Sequence, residues 1–192
     1  MDVVEAMRNR KSIRAFEPRP VPEQLLREVL QVAIRAPSSG NSQPWDIVVV
    51  AGEILRRIGD ENVRRFRAGM EIKGKSLWTE SHEIFRQRHM ALGVELYRLM
   101  GIGKEDRDKR RQWQEQGLRY FGAPAALFLC VERSLDALLA GFNLGLLAQS
   151  ICLSALSYGL GTCIELQGVA YPEVISQYAG IPDSKMIVVS IA

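Results

Sequence analysis

Three short stretches of this 192-residue chain carry side chains whose types and spacing suit chemistry. The first is Arg10-Lys11-Ser12-Ile13-Arg14-Ala15-Phe16. If extended, it turns Arg10, Ser12 and Arg14 to one side and Lys11 and Ile13 to the other, with same-side neighbours about 7 Å apart. Two guanidiniums bracketing a hydroxyl can grip a phosphate and a nearby anionic edge. Taken alone, a solvated basic run is the simpler reading. The second stretch is Ala36-Pro37-Ser38-Ser39-Gly40-Asn41-Ser42-Gln43-Pro44-Trp45, a turn-rich run of amides and hydroxyls. It leads directly into Ile47-Val48-Val49-Val50, so a polar loop is expected beside a buried strand, able to hydrogen-bond a flat, polar-edged ligand. The third is Gly159-Leu160-Gly161-Thr162-Cys163-Ile164-Glu165-Leu166-Gln167, a glycine exit from a long apolar segment.

Other chemistries find little support. No Ser-His-Asp constellation and no glycine-rich phosphate loop is visible. His82 and His89 are the only histidines; no further ligand set converges on them by spacing, so no metal site is expected. Cys130, Cys152 and Cys163 form no Cys-x-x-Cys pair, and their odd number argues against a disulfide framework, so a reducing, cytoplasmic setting is expected. A formal charge of +3 is too mild for a nucleic-acid footprint. The start, Met1-Asp2-Val3-Val4-Glu5, does not read as a signal peptide. The mostly apolar stretch 135–156 contains Asp136, Asn143, Gln149 and Ser150, which favours a core helix over a membrane span.

The elements that must position these stretches follow from periodicity and breakers. A composition of 47% hydrophobic and 24% charged residues suits one soluble domain with a sizeable core. Residues 2–9 read as a short helix. Pro18, Pro20 and Pro22 stiffen a connector, and apolar residues then recur at helical spacing from Glu23 to about Arg35, where Pro37 ends the pattern. Residues 46–51 form a continuous β-branched run, expected for a strand covered on both faces. A helix follows at 53–65. The charged region from about 60 to 120 holds exposed helices, clearest at 81–100 and 104–119. Its apolar members, among them Leu77, Trp78, Phe85, Met90, Leu92, Tyr97, Met100 and Trp113, could line a pocket, face a partner, or be buried sides of those helices. Residues 125–131 form a second apolar strand. The segment 135–158 is a helix apolar nearly all round, hence buried on every side or shared with a second subunit. A short strand or loop, a helix at 172–178 and a strand at 186–192 complete an α+β pattern.

Together these features resemble the nitroreductase family. Arg10–Phe16 is similar to its Arg-Arg-Ser-Ile-Arg-x-Phe opening. Ala36–Trp45 resembles its Ala-Pro-Ser-x-x-Asn-x-Gln-Pro-Trp loop, and Gly159–Cys163 resembles the turn after its central helix. The resemblance spans essentially the whole chain and is weakest from 60 to 120. It implies a single domain over residues 1–192 with a variable helical insertion at about 60–120. The implied fold is a three-layer α-β-α one, with a central mixed sheet flanked by helices and two chains interwoven as a homodimer. It further implies an FMN-dependent oxidoreductase that passes hydride from NADH or NADPH through flavin N5 to a nitroaromatic, quinone or similar electron-poor substrate by a ping-pong mechanism. A flavin reductase, enone reductase or dehalogenase of the same family, or a flavin-binding protein without turnover, are the alternatives.

On this resemblance, Arg10 and Ser12 match the phosphate-gripping positions, Lys11 keeps the charge of the commoner Arg, and Arg14 stands near the flavin pyrimidine. Pro37, Ser38, Ser39 and Asn41 match positions that contact the flavin from across the dimer. Ile164, Glu165 and Leu166 fall where a short segment covers the flavin face with a backbone N–H near N5. No side chain is assigned a catalytic role, because the cofactor carries the redox step. Family members continue past the last strand into a Gly-Tyr-Pro-like turn and basic residues that complete the phosphate site. The sequence ends at Ala192 without them, so the phosphate is expected to rest mainly on Arg10, with weakened FMN affinity and a dimer lacking a C-terminal arm.

Overall fold

A computed structural model of the chain describes residues 2–73 and 82–192. Seven helices and four strands lie among them. Helix α1 (Val3–Asn9) starts where the Asp2 carboxylate accepts from the Glu5 backbone N–H at 2.7 Å, taking up one of the orphan donors of a helix start. Then follow α2 (Glu23–Ala33), β1 (Trp45–Ala51), α3 (Gly52–Arg67), α4 (Glu83–Leu99), α5 (Arg107–Leu118), β2 (Ala125–Glu132), α6 (Ala137–Ser157), β3 (Ile164–Glu165), α7 (Pro172–Ala179) and β4 (Lys185–Ile191). The expected helix start at Ser81, and Leu77 and Trp78, lie outside the described residues.

The strands form one sheet in the order β1-β2-β4-β3, with every neighbouring pair antiparallel. The mixed character expected of the sheet is confined to one isolated parallel bridge, Ser12 to Thr162. Residues 10–16 touch the approach to β3 at a single point and form no named strand of their own. Strand β2 is central, and its alternation makes the layers. Ala126, Phe128 and Cys130 enter a core with Leu55, Ile58 and Val63 of α3 and Val174 and Ile175 of α7. Leu127, Leu129 and Val131 enter a second core with Ala33 of α2 and Leu144, Leu147 and Ile151 of α6. Burial on both faces is why β2 reads as an unbroken apolar run. This is the three-layer α-β-α arrangement.

Two expectations change. Strand β1 sits at the sheet edge beside β2 alone; Val48 and Val50 meet the first core and Trp45 and Ile47 the second, but Val49 stays exposed, so the cover expected on both faces is partial. Helix α6 is not buried on every side. Its inner face, including Asn143, Leu147 and Ile151, is buried, while Leu138 is 83% and Phe142 59% exposed. By length and composition α6 alone among the described residues could cross a membrane; its inner face instead belongs to the second core. Helix α4 buries none of its residues, and Phe85, Met90 and Leu92 are exposed. Arg110 lies 4.8 Å from the Tyr97 ring centroid, a cation–π contact joining α4 to α5.

Candidate functional site

The basic row and the glycine exit are brought together. Ser12 bridges Thr162, and the Ile13 N–H donates to the Thr162 carbonyl at 2.9 Å. Residue 161 has to be glycine for this approach: a Cβ there would lie 2.8 Å from Ile13 Cγ1, well inside ordinary carbon–carbon contact. Gly159, with φ +76°, turns the chain out of α6 in the left-handed conformation glycine adopts freely. Arg10, Ser12, Ile13 and Arg14 are half-buried and Lys11 is exposed. Among the described residues no ion pair links Arg10, Lys11 or Arg14 to a carboxylate.

The segment beside them is anchored firmly. Cys163 and Ala192 exchange backbone hydrogen bonds at 2.8 and 2.9 Å, and Ile164 and Glu165 pair with Ile191 and Ser190. Strand β3 therefore ends the sheet, and its outer side presents backbone groups that no named strand takes up. Ile164 is 41% exposed there, and Leu166 packs partly against the second core. Glu165 turns inward instead: it is 7% exposed, and neither carboxyl oxygen has a hydrogen-bond partner among the described residues. Burial pushes its carboxyl up to about 8, with the Arg14 charge pulling the other way. Burial also pushes the Cys163 thiol up to about 11, against the pull of Arg14 and of a Ser12 hydrogen bond. The Cys152 thiol of α6 is raised by burial and lowered by Thr162 and Arg10. One electrostatic neighbourhood thus joins Arg10, Ser12, Arg14, Thr162 and Glu165.

The loop at 36–45 is held elsewhere. The Ser39 N–H donates to Asn143 Oδ1 of α6 at 2.9 Å, and Asn143 is fully buried. Within the loop, the Gln43 N–H donates to Ser38 Oγ at 2.9 Å and Gln43 Nε2 donates to Asn41 Oδ1 at 3.1 Å. Asn41 and Gln43 have φ of +55° and +44°. A non-glycine residue in that region is strained, and such strain persists only where surrounding contacts over-determine it. Pro37, Ser39 and Asn41 are exposed and Ser38 is half-buried.

Asn143 and Tyr158 are separated by about 22 Å of helix axis at 1.5 Å per residue. Within one chain, Pro37, Ser38, Ser39 and Asn41 therefore sit toward one end of α6. Arg10, Ser12, Arg14, Ile164 and Glu165 sit toward its other end, with Arg10 bearing on Cys152 and Ser12 bridged to Thr162. The sequence reading did not assign Asn143 as the loop's anchor, although a lone amide in an apolar helix is a usable signal, since buried amides are nearly always hydrogen-bonded. It also did not find Tyr120, whose buried hydroxyl donates to the Gly168 carbonyl at 2.9 Å and accepts from Asn62 Nδ2. No local pattern announces that contact.

The sequence profile of the Nitroreductase family matches residues 7–192. Nitroreductase NfnB of Mycolicibacterium smegmatis is 27% identical over 183 residues, covering 94% of this chain and 77% of that protein. A 4-nitrobenzoate reductase of Nocardioides sp. is 31% identical, covering 97% and 77%. Among solved structures, the FMN and NADPH-dependent nitroreductase NfnB from sphigopyxis sp. strain HMH superposes with a TM-score of 0.93 at 29% identity, covering all of this chain and 87% of that one. With its motifs in place, its three layers matched and its profile match spanning nearly the whole length, the chain belongs to the nitroreductase family.

Proposed function

We propose that this protein is an FMN-dependent NAD(P)H oxidoreductase that reduces nitroaromatic compounds, working by a ping-pong mechanism as a cytoplasmic homodimer with its flavin at the interface. The observation that carries the reading is the Ser12–Thr162 bridge, which lays the Arg10, Ser12 and Arg14 row beside the open edge of β3. Those residues fit a flavin mononucleotide. Cations without a carboxylate partner suit a phosphate and an anionic ring edge, open backbone groups suit a ring nitrogen, and the exposed Ile164 suits an apolar ring face. The FMN and NADPH named for the solved relatives support the same cofactor and hydride donor. The nitroaromatic substrates in the relatives' names support the substrate class.

When bound, the flavin supplies hydride transfer from NADH or NADPH to the oxidant. Arg10 and Ser12, with Lys11 at the rim, hold the phosphate. Arg14 would offer positive charge to an anionic edge of the bound ring. Strand β3 gives the ring a fixed backbone platform. Pro37, Ser38, Ser39 and Asn41 reach the ring from a second copy, because in one chain they are held near Asn143, along α6 from the basic row. The exposed Leu138 and Phe142 on α6 favour such a second copy. Three free, buried thiols are in keeping with a reducing compartment.

The test is colour. Purified protein should be yellow and should bleach anaerobically with NADH or NADPH; colourless protein that takes up no added FMN overturns the reading. Arg14→Ala should weaken FMN retention and slow flavin reduction, and unchanged values would remove the role given to Arg14. A stable monomer with full activity would contradict the shared site.

A further inference from the structure

The basic row leaves one chemical feature unaccounted for. Glu165 is an ionisable group 7% exposed, with two oxygens that nothing among the described residues satisfies. Its backbone is locked in place: its carbonyl accepts from Ser190 Oγ at 2.9 Å, and it pairs with Ser190 across β4. The carboxyl therefore has little freedom to swing out to water. The titratable groups facing it are Arg14 from the N-terminal segment, Tyr120 from the turn before β2, and Cys163 from its own chain. The Tyr120 hydroxyl is already spent on Gly168, and burial keeps both Tyr120 and Cys163 neutral. Among the described residues, Arg14 is thus the charge that bears on Glu165, and it stands outside ion-pair distance.

An ionised carboxylate so placed would be desolvated with no hydrogen bond to support it, and such a group keeps its proton instead. We propose that Glu165 is a positioning residue for the cofactor edge: it holds a proton beside Arg14, which leaves the Arg14 charge uncancelled toward the flavin, and loss of that proton neutralises the edge. The balance is simple. One proton leaves the Glu165 carboxyl for solvent, the local charge falls by one, and no bond to the flavin is made or broken. The role at the flavin rests on the function proposed above; the proton on Glu165 is a property of the polypeptide alone. The inward side chain thereby acquires a part separate from the backbone platform of β3.

The experiment has two arms. In the first, infrared spectra of the FMN-free wild-type protein are recorded from pH 5 to 10. A carboxylic C=O band should disappear with a midpoint near 8 and be missing from Glu165→Gln. The other buried carboxylate, Glu115, is paired with Arg67 and held below the usual range, so it adds no band there. In the second, FMN dissociation constants are compared between wild type and Glu165→Gln at each pH, which removes the flavin's own ionisations from the comparison. The two should agree within about twofold at pH 6, and the variant should bind about tenfold tighter at pH 9, the effect of one charge in a partly screened site. A wild-type spectrum with no carboxylic band titrating near 8 overturns the proposal while leaving the flavin reading standing; so do retention curves that run parallel. Wild type that binds no FMN at any pH overturns the flavin reading, and the role of Glu165 with it, even if the high midpoint is found. The wild-type infrared arm needs no variant to fold.

Discussion

Gly161→Ala tests whether the basic row is held against β3 by shape. The added methyl would meet Ile13 at 2.8 Å from Cγ1, 3.3 Å from Cβ and 3.4 Å from Cγ2. Carbon atoms pack best at about 3.5–4.0 Å, so the approaches to Cγ1 and Cβ must both be relieved while Cγ2 stays in contact. Rotation of Ile13 about its Cα–Cβ bond can move Cγ1 but not Cβ, whose place is set by the backbone bond to the Thr162 carbonyl and the Ser12 bridge. Overpacking of this kind costs about 1–3 kcal/mol. Relief by moving the 10–16 segment would carry Arg10 and Arg14 away from the edge of β3. Urea unfolding of Gly161→Ala should therefore fall by that amount, and FMN retention should fall with it. Ile13→Ala in the same background removes both Cγ contacts, leaving only the 3.3 Å approach to Cβ. The double variant should recover part of each loss, with a coupling of about 1 kcal/mol in a double-mutant cycle. Strictly additive losses would refute the argument that Gly161 and Ile13 are coupled by contact.

Glu165 also links stability to pH. Its folded value, about 8, lies above the ordinary 4.5, so the folded state binds the proton more tightly. The contribution is full below pH 4.5 and is lost as pH rises through 8. The loss has an upper limit of about 5 kcal/mol at 1.36 kcal/mol per unit; Glu165→Gln should flatten the decline in urea titrations between pH 5 and 9, and parallel curves would refute it. Asn143→Ala removes the acceptor for the Ser39 N–H; it should cost about 1 kcal/mol and speed proteolysis at 39–43, with Asn143→Asp restoring protection. Tyr120→Phe strands the buried Gly168 carbonyl and should cost about 1–3 kcal/mol by urea unfolding, with no effect if that carbonyl finds another donor.

The elements were legible where they rest on local rules, as with Pro22 before α2 and Pro37 after it; the Asp136 cap that starts α6, one residue into the segment read as helix, was not. What could not be read was which partners each face would find. The β-branched run of β1 carries the same pattern as β2, yet one lies at the edge and the other at the centre. That difference is set by the pairing order, which no local sequence encodes. Likewise Glu165 was assigned for its backbone, and only the packing of Tyr120 and Cys163 around it reveals a buried acid.

The same limit bears on the site as a whole. Sequence order sets the three motifs out as though they converge, and two of them do. The third is pinned to Asn143, about 22 Å along α6 at 1.5 Å per residue from where the helix ends. Arg10 and Arg14 lie toward one end of α6, with Arg10 bearing on Cys152, and Ser39 lies toward the other at Asn143. Either the loop serves no ligand, and its strained Asn41 and Gln43 are unexplained, or a second chain brings its own loop to the row. The exposed apolar residues of α6, Leu138 and Phe142, lie within two turns of Asn143, on the helix that would be shared. The proposed dimer, if joined along α6, would cover the exposed face and complete the site in one step. A variant that breaks this contact, Phe142→Glu, should lose dimer and flavin together by light scattering and absorbance. Monomers that keep their flavin would show that one chain suffices.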